Sequence, residues 1–94
     1  MAIAFIMEFP GVRQEQYEQA HRELGNPLEQ GVLVHIAGPM ENGWRVVEVW
    51  SSQEAANVFF GSQKVQQVFQ NAGFPPVQPV VFPVHALYAT SQQT

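Results

Sequence analysis

His35 and Glu48 are the two side chains of this 94-residue sequence best suited to moving a proton between them and a bound molecule. They lie on opposite arms of one hairpin, GVLVHIAGPMENGWRVVEVWS, from Gly31 to Ser51. Side chains alternate along a strand, so one face of this hairpin collects Leu33, His35, Ala37, Trp44, Val46, Glu48 and Trp50. The other face collects Val32, Val34, Ile36, Arg45, Val47 and Val49. Moving the turn by one residue on each side shifts the pairing by two, so the partition does not depend on the loop chosen. The first face reads as the wall of a pocket between the sheet and a partner, and the second as core. An imidazole beside a carboxylate can take a proton from an acidic phenol or carbon acid, while the indoles of Trp44 and Trp50 offer flat walls for an aromatic molecule. His85, from the last strand, is placed as a third ligand-binding residue.

The same residues have plainer readings. A buried His–Glu pair can serve only to pin sheet register or dimer geometry, and tryptophans in strands can be packing alone. Two residues beyond Pro83, His85 can face solvent or a partner as readily as a pocket. His21 borders a helical stripe and reads as a packing ring with no role. His35, His85 and Glu48 have the types of an iron or zinc site, but they come from three strands with no helical HxxxH spacing, so no metal is expected. No phosphate loop, dinucleotide fingerprint or GxSxG elbow occurs, and no cofactor is expected.

The elements that must position these residues can be read in order. Ala2–Phe9 is apolar on both alternate sets, as in a central strand. Gln14–Leu24 places Tyr17, Ala20, His21 and Leu24 on one helical stripe, with Gly25 to end it. The hairpin adds two strands around a turn within Pro39–Gly43. Ser51 with Glu54 matches a capping box, opening a second helix whose apolar stripe runs to Ala72 with a break or kink near Gly61. Gln78–Ala89 alternates as a strand, and Pro83, which has no N–H for a ladder, marks it as an edge. The order βαββαβ predicts a ferredoxin-like α+β sandwich with a four-stranded antiparallel sheet.

A chain of this length fits one domain, residues 1–94, and buries only about 60 to 65 per cent of its unfolded surface. Two helices cover one side of a sheet, yet the strands are apolar on both, so a homodimer with sheets packed face to face is expected. The four Lys and Arg residues are scattered against eight acidic ones for a net charge of −4, which argues against nucleic acid as a partner. The apolar run Met1–Met7 has no basic leader and is too short to cross a membrane. With no cysteine to mark an oxidising compartment, a cytoplasmic location is expected. Residues from Thr90 onward are small and polar and are expected to fray.

The segments AIAFIMEFPGV, VHIAGP, GWRVVEVWSSQEA and FPVHALY, spanning nearly the whole chain, resemble the dimeric α+β barrel superfamily, near its antibiotic-biosynthesis-monooxygenase branch. The resemblance implies the ferredoxin-like fold, a homodimer, and a cofactor-independent monooxygenase or isomerase acting on a small apolar or aromatic molecule in the barrel interior. The superfamily also includes haem-handling enzymes and proteins without known activity, so a non-catalytic ligand-binding or structural dimer stays open. Haem-degrading members use an asparagine on the first strand with a tryptophan and a histidine; Ala2–Phe9 holds no asparagine.

Overall fold

The computed structural model describes residues 1–90. Its elements are β1 (Ile3–Pro10), α1 (Gln14–Leu24), a 3₁₀ turn (Pro27–Gln30), β2 (Val32–Met40), β3 (Gly43–Trp50), α2 (Gln53–Gly61), α3 (Gln63–Asn71) and β4 (Val80–Pro83). All neighbouring strands are antiparallel in the order β2-β3-β1-β4, the ferredoxin-like arrangement read from the sequence. The expected tail falls, beyond Thr90, outside the described residues. Among the described residues no helix is long and apolar enough to cross a membrane.

Local chemistry sets the element boundaries. Gly25 stops α1 with φ at 84°, a value that favours glycine, and its N–H caps the His21 carbonyl. Glu41 and Asn42 alone turn the hairpin, with Asn42 at φ 60° in the left-handed region. Gly43 packs against β1 so closely that a Cβ there would lie 2.6 Å from the Phe9 carbonyl oxygen. The cap of α2 is Ser52, not the expected Ser51: its side chain accepts from the Ala55 N–H, one residue later in the same serine pair. The helical stripe breaks at Ser62, whose extended backbone ends α2 through an N–H to the Phe59 carbonyl while its hydroxyl caps α3 at Val65. That break lets Phe59 and Phe60 from α2 and Phe69 from α3 converge on one cavity.

The main core lies between the sheet and the helices, and this reverses the expected roles of the two hairpin faces. Phe5, Met7 and Phe9 of β1 pair with Glu48, Val46 and Trp44, and these side chains share one buried layer with Tyr17, Phe59 and Phe60. The face bearing His35, Trp44, Glu48 and Trp50 is therefore the helix-covered one. Ile36 on the opposite face is 59 % exposed. Alternation correctly put the residues on common faces, but both faces are apolar, so pattern alone did not say which of them the helices would choose. One further correction arises at a β-bulge between Val32 and Val34. The extra residue, Leu33, is half exposed, and Val32 is buried beside Trp50 in the core instead.

At its margins the sheet is irregular. β2, one edge, carries this bulge and Pro39. β4, the other, is only four residues long and ends at Pro83, so the strand expected over Gln78–Ala89 is mostly irregular chain.

Candidate functional site

β2 and β3 bring His35 directly opposite Glu48 in the ladder, and α1 lays Tyr17 over them. His35 Nδ1 lies 2.7 Å from Glu48 Oε2, and Trp50 Nε1–H donates to Glu48 Oε1 at 3.1 Å. A carboxylate only accepts, so Nδ1 carries the imidazole proton and Nε2 is the acceptor. Into Nε2 the Tyr17 hydroxyl donates at 2.6 Å. The result is a chain from Tyr17 through His35 to Glu48, with Trp50 anchoring its far end. Glu48 is 6 % exposed, and its two donors replace the water it has lost.

The rings around Tyr17 hold it in place. His21, one turn along α1, stacks on it with centroids 6.0 Å apart, and Trp44 leans on it at 5.4 Å. Burial, reinforced by the charges of Glu18 and Glu48, pushes the Tyr17 phenol above its ordinary value, so it stays protonated and donating at neutral pH.

The chain meets a cavity of about 70 Å³ between sheet and helices. Tyr17, His35 and Glu48 line it together with Met7, Phe9, Phe59, Phe60, Phe69 and Phe74, and the exposed residues His21, Gly25 and Gln30 border its mouth. Among the described residues, no lysine or arginine is in the lining. A titratable chain at the wall of an aromatic pocket can pass a proton to or from a small bound molecule and keep water away while doing so.

Of the residues singled out from sequence, the structure brings His35, Glu48 and Trp50 together. Trp50 is fully buried against Phe59 and Phe60 and supports Glu48 from behind instead of lining the cavity. Trp44 likewise packs on Tyr17 outside the lining, and its indole N–H is buried without a hydrogen-bond partner among the described residues. His85 is exposed beyond the end of β4 and outside the cavity lining, and no three potential metal ligands gather among the described residues. The pocket itself sits between sheet and helices, not between the sheet and a partner. Sequence reasoning missed Tyr17 and His21 as site residues, treating them as stripe packing. The available signal was a hydroxyl-bearing aromatic and an imidazole four residues apart on the stripe that meets the sheet.

Comparison with known proteins returned no matching family model and no matching curated protein. Solved structures do match. SnoaB, described as a cofactor-independent oxygenase from Streptomyces nogalater, superposes with a TM-score of 0.68 over 92% of this chain and 95% of its own, at 10% identity. A candidate antibiotic biosynthesis monooxygenase from Chloroflexus aurantiacus gives 0.66 over 94% and 98%, at 13% identity. The structural-genomics protein YJCS also gives 0.66, over 90% and 100%, at 14% identity. The chain shares their ferredoxin-like α+β fold. At these identities the likeness is one of backbone, and chemistry has to be argued from this chain's own residues.

Proposed function

We propose that the cavity is the active site of a cofactor-independent enzyme, monooxygenase-like or isomerase-like, acting on a small apolar or aromatic molecule. The observation that carries this reading is the Tyr17–His35–Glu48 chain ending at an aromatic-lined cavity. Deprotonation of a phenol or carbon acid is the common first step of both reactions. In an oxygenase the resulting anion supplies electrons to dioxygen; in an isomerase the proton returns to a different atom. The imidazolium formed at His35 would lie against Glu48, which offsets its charge in a site that is dry on the sheet side. The likeness of the fold to SnoaB, a cofactor-independent oxygenase, supports the first version.

The same reading includes a homodimer formed through the open sheet face and a cytoplasmic location. Ile36, Val80 and Phe82 are exposed on that face, with the partly buried Ile6, Val34 and Val47 beside them, an apolar surface that water disfavours. A second, non-catalytic reading draws on the Trp50–Glu48 bond within β3 together with the His35–Glu48 and Tyr17–His35 bonds, which would make the chain a device for fixing β2 and β3 in register beneath α1. Oxygen uptake and proton–deuteron exchange, measured with a panel of one-ring phenols and enolisable ketones, separate the two. The enzyme reading expects one of these activities in the wild type and its loss in folded Glu48→Gln and His35→Ala variants. Activity that persists in both variants, or inactivity of the wild type across the panel, removes it.

A further inference from the structure

Both nitrogens of His35 are already engaged, Nδ1 by Glu48 at 2.7 Å and Nε2 by Tyr17 at 2.6 Å. A molecule in the cavity therefore finds no free nitrogen on His35, the imidazole paired with Glu48. What lies in front of Nε2 is the Tyr17 oxygen, which donates its one proton to His35 and keeps lone pairs for an incoming donor. We propose that Tyr17 is the group that touches the substrate's acidic hydrogen and that His35 works from behind it as a relay. This rests on the proton-abstraction reading above and names the residue that performs it.

The step balances as two linked transfers. The substrate X–H proton moves to the Tyr17 oxygen while the Tyr17 hydroxyl proton moves to His35 Nε2. The X–H electron pair stays on the substrate, Tyr17 ends as a neutral phenol, and His35 ends as an imidazolium bonded to the Glu48 carboxylate. Three features favour this route. Tyr17 packs against the rings of both His21 and Trp44, so moving it aside to expose His35 would sacrifice both contacts. Its raised pKa disfavours a free tyrosinate, so the oxygen gains a proton only as it gives one up. Among the described residues, the charged and titratable groups around it, Glu18 and His21 on its own helix and His35 and Glu48 from the sheet, include no lysine or arginine to hold a tyrosinate. The absence of such a cation from the described lining also sets the substrate class: a neutral acid of about one ring enters, and a carboxylate or phosphate is repelled by Glu48.

The test uses 4-nitrophenol, whose absorbance reports its ionisation, bound to wild type, Tyr17→Phe and His35→Gln proteins whose folding is checked by circular dichroism. In wild type the ionisation midpoint of the bound probe should fall by about one pH unit or more, a tenfold change. Both variants should bind the probe and lose that shift. If Tyr17→Phe keeps the shift while His35→Gln loses it, His35 acts directly and the proposal is overturned. If His35→Gln keeps it, there is no relay and the proposal again falls. Failure of wild type to bind the probe, or binding with no shift, instead removes the proton-abstraction reading on which the proposal stands.

Discussion

Replacing Glu48 by alanine and, separately, by glutamine measures what the buried carboxylate contributes. Alanine leaves two donors, His35 Nδ1–H and Trp50 Nε1–H, facing a hole where Glu48 was 6 % exposed. Each abandoned buried donor costs about 1–3 kcal/mol, and each hydrogen bond to a charged acceptor is worth about 1.5–3 kcal/mol, so the two bonds together about 3–6 kcal/mol. The two routes to the number agree, so a loss of about 3–6 kcal/mol is expected. Glutamine has nearly the same shape. Its carbonyl can keep the Trp50 bond, and its amide can donate to His35 if the imidazole changes tautomer, at a net cost of about 1–2 kcal/mol as charge-assisted bonds become neutral ones. For a chain of this size each kcal/mol moves Tm by about 4–8 °C. The alanine variant should therefore melt about 12–48 °C below wild type and the glutamine variant about 4–16 °C below. Scanning calorimetry or circular dichroism melts at one fixed protein concentration would read this, since Tm of an associating protein depends on concentration. Two variants melting together, within about 2 °C of wild type, would refute the paired, desolvated state of Glu48.

Three further outcomes follow from other parts of the molecule. Because Tyr17 holds its proton more tightly folded than unfolded, the unfolded chain loses that proton first as pH rises past about 10, and stability should fall there by up to about 1.4 kcal/mol per pH unit. Urea unfolding of wild type and Tyr17→Phe between pH 9 and 11 checks this, and the variant's curve should be the flatter of the two. Gly43→Ala would set a methyl 2.6 Å from the Phe9 carbonyl oxygen, so β1 and β3 must separate locally; a thermal melt should show a loss of about 1–3 kcal/mol, and unchanged Tm would contradict the close approach. Ile36→Lys on the open face should shift analytical ultracentrifugation from dimer toward monomer without harming the cavity, and a wild-type monomer at micromolar concentration would end the dimer proposal.

Much of this fold was legible because its punctuation is local. Gly25 ends α1, Asn42 turns the hairpin, and Pro83 closes an edge strand, each by a backbone preference that needs no distant partner. The pairing of His35 with Glu48 was legible too, since it depends on alternation within one hairpin. What could not be read was which way that shared face looks. Val34, Ile36 and Val47 are as apolar as Ala37 and Val46, and the choice is made by helices whose docking is non-local. Tyr17 was hidden for the same reason: eighteen residues separate it from His35, and only the crossing of α1 over β2 makes them neighbours. His85 was overestimated because the alternation past Pro83 looks like a strand, while pairing with β1 ends at Pro83.

The two blunted margins of the sheet also bear on how this protein fails. A row of free N–H and C=O groups along an edge strand is a template on which further strands can add without limit. Here one margin offers a bulge and Pro39, and the other four paired residues stopped by Pro83, so neither presents a long straight template. Growth by lateral strand addition is discouraged on both sides, while the broad apolar face between them stays available. Self-association then has a natural stopping point, because a face that is covered once is used up, whereas an edge regenerates itself with every strand it captures. At high concentration or after partial unfolding, this chain should therefore resist fibril growth more than its apolar strands suggest.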